Sequence, residues 1–98
     1  MMSWNSRSRS WKPFWSSIST AARCIAIIGE ALEALGGSYA DVVRTRMYIT
    51  DAADADLVGH AHGSAFKNVR PASTMLVVPA LIRPEWKVEI EAEAIIEK

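Results

Sequence analysis

Near the C-terminus, Val88-Glu89-Ile90-Glu91-Ala92-Glu93-Ala94 alternates strictly between apolar and acidic residues. A period of two puts Val88, Ile90, Ala92 and Ala94 on one side of a β-strand and the three glutamates on the other. The apolar side demands a covering layer. The acidic side demands solvent or cations, because neighbouring carboxylates repel each other. The stretch Arg70-Pro71-Ala72-Ser73-Thr74-Met75-Leu76-Val77-Val78 reads as the strand before it.

A third strand is predicted over Val42–Ile49 from its β-branched and aromatic content. Strict alternation would put Val43, Thr45, Met47 and Ile49 on one face, and Val42, Arg44, Arg46 and Tyr48 on the other. Arg44 and Arg46 are then candidate partners for the acidic row, if this strand lies near Glu89 and Glu91. A solvated strand face is the alternative reading.

Two helices complete the pattern. Ile18, Ala21, Ile25, Ile28, Leu32 and Leu35 recur every three or four residues and form one apolar stripe. Gly36-Gly37 should end that helix, since glycine accepts the left-handed conformation. Gly29, inside the helix, is expected to let it pack closely on a sheet. Thr50-Asp51 should start a second helix, with Leu57, Val58, Ala61, Ala65 and Phe66 as its apolar stripe. Pro71 stops it and should push Arg70 into extended backbone.

The order helix, strand, helix, strand, strand implies an α+β two-layer sandwich, with both helices on the apolar face of one sheet. Three strands are few for two helices. A strand or more is expected to be missing from the N-terminal side.

Residues 1–17, MMSWNSRSRSWKPFWSS, have neither helical nor strand periodicity and contain no acid. They read as an atypical, disordered segment preceding one domain over residues 18–98. A basic aromatic arm and a targeting peptide are the alternatives. The zero net charge hides an asymmetry of +4 over residues 1–29 against −4 over residues 30–98. The acidic part argues against nucleic acid as a ligand, because phosphate binding needs a basic surface. No apolar run approaches the ~20 residues that cross a bilayer. Cys24 is the sole cysteine, which excludes an internal disulfide and agrees with a cytoplasmic setting. It reads as a core residue rather than a nucleophile. His60 and His62 are two apart, so on a helix they diverge and cannot share a metal. No metal or cofactor is expected.

Taken in order, several blocks resemble the Rid family, the reactive intermediate deaminases, also called the YjgF or L-PSP endoribonuclease family. They are Ile28 to Ser38, Asp41 to Asp51, Phe66, Arg70-Pro71-Ala72 and Val88 to Ala92. The resemblance runs from about Thr20 to Ile96. It implies a chorismate-mutase-like fold, with a mixed sheet on two helices, and a homotrimer with ligand clefts between subunits. It also implies an N-terminal β-hairpin in the place where this chain has its Ser/Arg/Trp segment. A truncated gene model, an alternative start or a frameshift would produce that difference. Upstream DNA with no hairpin in register with Thr20 would contradict this expectation.

The deaminating branch of the family hydrolyses imines and enamines such as 2-aminoacrylate to 2-keto acids and ammonia. The resemblance assigns the water-holding carboxylate to Glu89 and makes Ser73, Thr74 and Met75 cleft neighbours. In that branch an arginine directly follows the Pro-Ala pair and grips the substrate carboxylate. Here Pro71-Ala72 is followed by Ser73. A hydroxyl has no charge and no fork, so the chain is closest to subgroups without that arginine. Efficient 2-aminoacrylate deamination is not expected. The expected function is an enamine or imine deaminase-like hydrolase, or a binder of 2-imino or 2-keto acids. A non-catalytic ligand- or protein-binding role is the alternative, and a ribonuclease is less favoured.

Overall fold

The computed structural model of the chain describes residues 2–5 and 17–97. Its elements are β1 (Met2–Asn5), α1 (Ser17–Ala34), β2 (Val42–Ile49), α2 (Ala55–Phe66), β3 (Ala72–Val77) and β4 (Val88–Ala94), with single 3-10 turns at Tyr39–Asp41 and Ala52–Asp54. The fold is α+β: two helices pack on a mixed sheet of order β1-β4-β2-β3. β2 runs parallel to β3 and antiparallel to β4.

The stripe of α1 buries Ala21, Cys24, Ile25, Ile28 and Leu32. Leu35 does not join them. It lies past the last helical turn and is 56% exposed. There Gly36, at φ +85, turns the chain left-handed. The Gly37 N–H then reaches the Leu32 carbonyl at 2.8 Å, and the Gly36 N–H reaches that of Glu33 at 3.0 Å. This Schellman arrangement satisfies carbonyls that the helix end would otherwise strand. Gly29 faces Tyr39 rather than the sheet. A Cβ on it would lie 2.5 Å from the Tyr39 hydroxyl, which donates to the Ile25 carbonyl at 2.9 Å.

Strict alternation fails at the start of β2. Val42 pairs with Ala94 and Arg44 with Glu93, so Val43 is an extra residue in a β-bulge. Val42 is therefore buried, and Val43 is 45% exposed. From Thr45 onward the expected alternation holds, with Thr45, Met47 and Ile49 buried.

Asp51 caps the next turn by accepting from the Ala53 N–H at 2.9 Å. α2 buries Val58, Ala61 and Phe66 and leaves Leu57 in solvent. Arg70 is not extended. Its φ is 56, and its N–H donates to the Phe66 carbonyl at 3.0 Å. The left-handed residue closes the end of α2 and turns the chain into β3. That local bond outweighs the usual extended preference of a residue before proline.

β1 departs from the expectation as well. Met2–Asn5, in the segment read as disordered, pairs antiparallel with β4, with Met2 opposite Ala92 and Asn5 opposite Glu89. The strand supplies backbone partners to an edge that three strands would leave open. The remainder of residues 1–17, residue 1 and residues 6–16, lies outside the described residues.

Candidate functional site

The sheet has two unlike faces. On the face away from the helices, the acidic row of β4 meets the basic row of β2. Arg44 Nη1 lies 3.5 Å from Glu93 Oε1, and Arg46 Nη1 lies 3.6 Å from Glu91 Oε2. The Tyr48 hydroxyl donates to the same Glu91 oxygen at 3.3 Å. The arginines thus pair with Glu91 and Glu93, whereas Glu89 stands opposite Tyr48 on one side and Asn5 on the other, half-buried.

The helix-facing side carries a different kind of polar group. Thr45 is fully buried, the one buried polar residue among those described. Its Oγ1 lies 2.8 Å from His62 Nε2 and 2.9 Å from Ser73 Oγ. Ser73 Oγ lies 3.4 Å from the same imidazole nitrogen and donates to the Pro71 carbonyl at 3.2 Å. Parallel pairing of β2 with β3 sets Thr45 directly beside Ser73. α2 brings His62 over both, with its ring against Phe66 at a centroid distance of 4.7 Å. Burial lowers the His62 pKa from 6.5 and so favours the neutral imidazole.

The four residues expected at the site are therefore divided. Ser73 belongs to the hydroxyl–imidazole cluster at the edge of the helix-facing side. Met75 is half-buried against the core. Thr74 is exposed on the other face, in register with Arg46. Glu89 is on that other face too. It lies level with Tyr48 and Leu76, three residues along from the Thr45–Ser73 pair. At about 3.3 Å per residue that is about 10 Å, through a sheet. Ser73 and Glu89 of one chain cannot contact the same small molecule.

Sequence reasoning missed Thr45 and His62, although a signal existed. Thr45 is the polar member of an inward-facing strand row, and a buried hydroxyl needs a partner. His62 sits four residues from both Val58 and Phe66, on the buried stripe of α2.

Elsewhere the described residues hold no group of three or more His, Cys, Asp or Glu able to bind a metal. Burial pushes the Cys24 thiol up to about 12, so it carries no thiolate at neutral pH. An open groove of about 240 Å³ between α1 and α2 is lined by Ala22, Ile25, Ala26, Ala61, Ser64 and Ala65, without a charged side chain.

With this geometry in view, the sequence profile of the endoribonuclease L-PSP family matches residues 16–96. The chain belongs to the YjgF/RidA family. A YjgF/YER057c/UK114-family protein from Mycobacterium tuberculosis is 42% identical, with a TM-score of 0.78 over 81% of this chain and 67% of its own. The RidA of the Antarctic bacterium Psychrobacter sp. PAMC 21119 is 29% identical, with a TM-score of 0.74 over 81% of this chain and 63% of its own. A protein of unknown function from Pseudomonas aeruginosa superposes over 96% of this chain and 71% of its own, at a TM-score of 0.85 and 28% identity. An uncharacterised protein of Streptomyces coelicolor is 40% identical over 65 residues, which is 66% of this chain and 48% of that protein. This YjgF/RidA chain thus spans about half the length of that curated relative. No described helix is long and apolar enough to cross a membrane.

Proposed function

We propose that this YjgF/RidA chain serves a small-molecule site of the Rid type, hydrolysing a C=N bond of a 2-imino or enamine compound to a 2-keto compound and ammonia. Glu89 is the carboxylate that holds the attacking water, with Thr74 on the same face of the sheet, and Ser73 contacts the substrate from the other face. The observation that carries this reading is the separation of Glu89 from Ser73 on opposite faces of one sheet. A site that uses both must draw them from different copies of the chain. That requirement fits the trimer with inter-subunit clefts implied by the family resemblance.

A specific observation favours a second reading, a ligand-binding member with little turnover. Ser73 offers one neutral hydroxyl, and hydrogen bonds to charged groups contribute about 1.5–3 kcal/mol against about 0.5–1.5 for neutral ones. The cytoplasmic, cofactor-free setting expected from the sequence suits either reading. The −4 balance of residues 30–98 speaks against a ribonuclease.

The test is ammonia release from 2-aminoacrylate and related imines generated in situ, with light scattering on the same sample. Release that Glu89→Ala abolishes, from a trimer, supports hydrolysis. A trimer that binds 2-keto acids without ammonia release supports the second reading. A monomer that hydrolyses imines would sink the shared-site argument. Gain of activity in Ser73→Arg would identify the absent guanidinium as the limiting feature.

A further inference from the structure

The Thr45–His62–Ser73 cluster has a property that none of its members has alone. Hydroxyls both donate and accept, and a neutral imidazole nitrogen does one or the other according to tautomer. The spacings of 2.8 and 2.9 Å therefore permit two polarities of one chain. In the first, His62 Nε2–H donates to Thr45, Thr45 donates to Ser73, and Ser73 donates onward, as it does to the Pro71 carbonyl. In the second, Ser73 donates to Thr45 and Thr45 donates to His62 Nε2. The lone pairs of the exposed Ser73 oxygen are then open to a donor from solvent. Both polarities keep the buried Thr45 hydroxyl fully bonded, so exchange between them leaves no buried polar group stranded.

We propose that Thr45 and His62 make Ser73 a donor–acceptor switch, which accepts from the N–H of an enamine or imine and donates to the carbonyl of the 2-keto product. The proposal rests on the Rid-type reading above and names the group that manages its protons. An imine has N–H where its hydrolysis product has C=O, so a fixed donor or a fixed acceptor would fit only one of the two.

The same chain handles the proton of the hydrolytic step. Water adds to the imine carbon to give a carbinolamine. As its C–N bond breaks and its C=O bond forms, the carbinolamine O–H proton is lost and the nitrogen gains one. The hydroxyl proton passes to Ser73, that of Ser73 to Thr45 and that of Thr45 to His62 Nε2. The return passage delivers a proton to the departing nitrogen, which leaves as ammonia. Nothing is oxidised or reduced, and His62 ends neutral. Thr45 and His62 are positioning residues, since neither touches the substrate. The surroundings of the imidazole suit a brief stay of the proton. β2 offers it Thr45 and β3 offers Ser73, both neutral, while Arg44 and Arg46 of β2 pair on the opposite face. Burial, with no charged group contributing, disfavours the imidazolium.

The test is long-range 1H–15N NMR of the two histidines in the full chain at pH 7.5, titrated with pyruvate as the keto-compound probe. The expected result is a shift of His62 towards its Nε2–H tautomer, absent in Ser73→Ala and in Thr45→Val, with His60 unmoved. Ser73 is exposed, so its variant keeps the test valid if Thr45→Val fails to fold. A His62 tautomer that pyruvate leaves unchanged overturns the switch, as does a shift that persists in Ser73→Ala. Imine hydrolysis is measured in parallel. His62→Gln keeps a polar group near Nε2 but cannot take up a proton, so it should lower kcat at least about tenfold and change KM less than about threefold. Hydrolysis untouched by His62→Gln overturns the proton passage and leaves the Rid-type reading intact. Absence of hydrolysis from the unmodified chain overturns that reading, while the tautomer shift decides the switch by itself.

Discussion

The two faces of the sheet solve the problem of polar groups in opposite ways. The outer face uses long charged side chains, Arg44 with Glu93 and Arg46 with Glu91, at 3.5–3.6 Å. Water competes for each of these pairs. The inner face uses short neutral groups, Thr45, His62 and Ser73, backed by the buried Phe66 ring. Exposed ion pairs contribute little to stability, whereas a buried polar group that loses its partner costs about 1–3 kcal/mol. The inner cluster should therefore dominate both stability and pH response, and the outer ladder should be dispensable to a single chain.

The largest effect expected is at the apolar support of the inner cluster. Phe66 is 2% exposed and meets Tyr39 edge-on at 5.2 Å as well as His62. Phe66→Ala should lose about 3–5 kcal/mol in urea unfolding. It should also admit water to His62 and move its pKa back towards 6.5. A loss under about 1 kcal/mol would mean that the inner side is not the better-packed one.

Thr45→Val tests the hydrogen bonds themselves, because the shape is nearly conserved. His62 and Ser73 keep each other, at 3.4 Å, but lose their shorter bonds. The expected cost is about 1–3 kcal/mol by the same measurement.

The pH response has a definite sign. The folded-state pKa of His62 lies below its unfolded value of 6.5 because burial disfavours the charged form. Between those two values the unfolded chain binds more protons. The contribution of His62 is thus fully present above about pH 6.5 and is lost as pH falls towards the folded-state pKa. Melting temperature should drop across that window in the unmodified chain and drop less in His62→Gln. Equal pH slopes would sink the assignment of the inner cluster as the pH-sensitive side.

How far these two faces could be read from the chain differs for a physical reason. The outer ladder follows from period-two alternation in two strands, and Arg44 and Arg46 were legible as partners of the acidic row. Alternation could not fix the offset: the arginines were expected beside Glu89 and Glu91, whereas they pair with Glu93 and Glu91. Nor could it reveal the bulge, since Val42 and Val43 are the same residue type and either could face inward. Met2–Asn5 gave no sign of a strand, because its pairing with β4 comes from more than eighty residues away in the chain. The inner cluster spans less sequence, 11 to 28 residues between its members, but it joins three elements. Thr45, His62 and Ser73 come from β2, α2 and β3, and only parallel pairing with a crossing helix unites them. The family resemblance made Ser73 conspicuous as the substitute for an arginine, yet it gave no hint of what stands behind it.

The smallest effect belongs to the outer ladder, and it sharpens the comparison most directly. Arg44 and Glu93 expose 46% and 40% of their side chains. A double-mutant cycle of Arg44→Ala and Glu93→Ala should give a coupling of about 0.2–1 kcal/mol, shrinking further in about 1 M salt, where the screening length falls to about 3 Å. The same cycle run on the assembled protein tells more. If copies pack through this face, burial strengthens the pair and its salt dependence falls. A coupling that stays small and salt-sensitive in the assembly would mean that the outer face remains in water there, and that Glu89 of this face does not meet Ser73 of another copy through it.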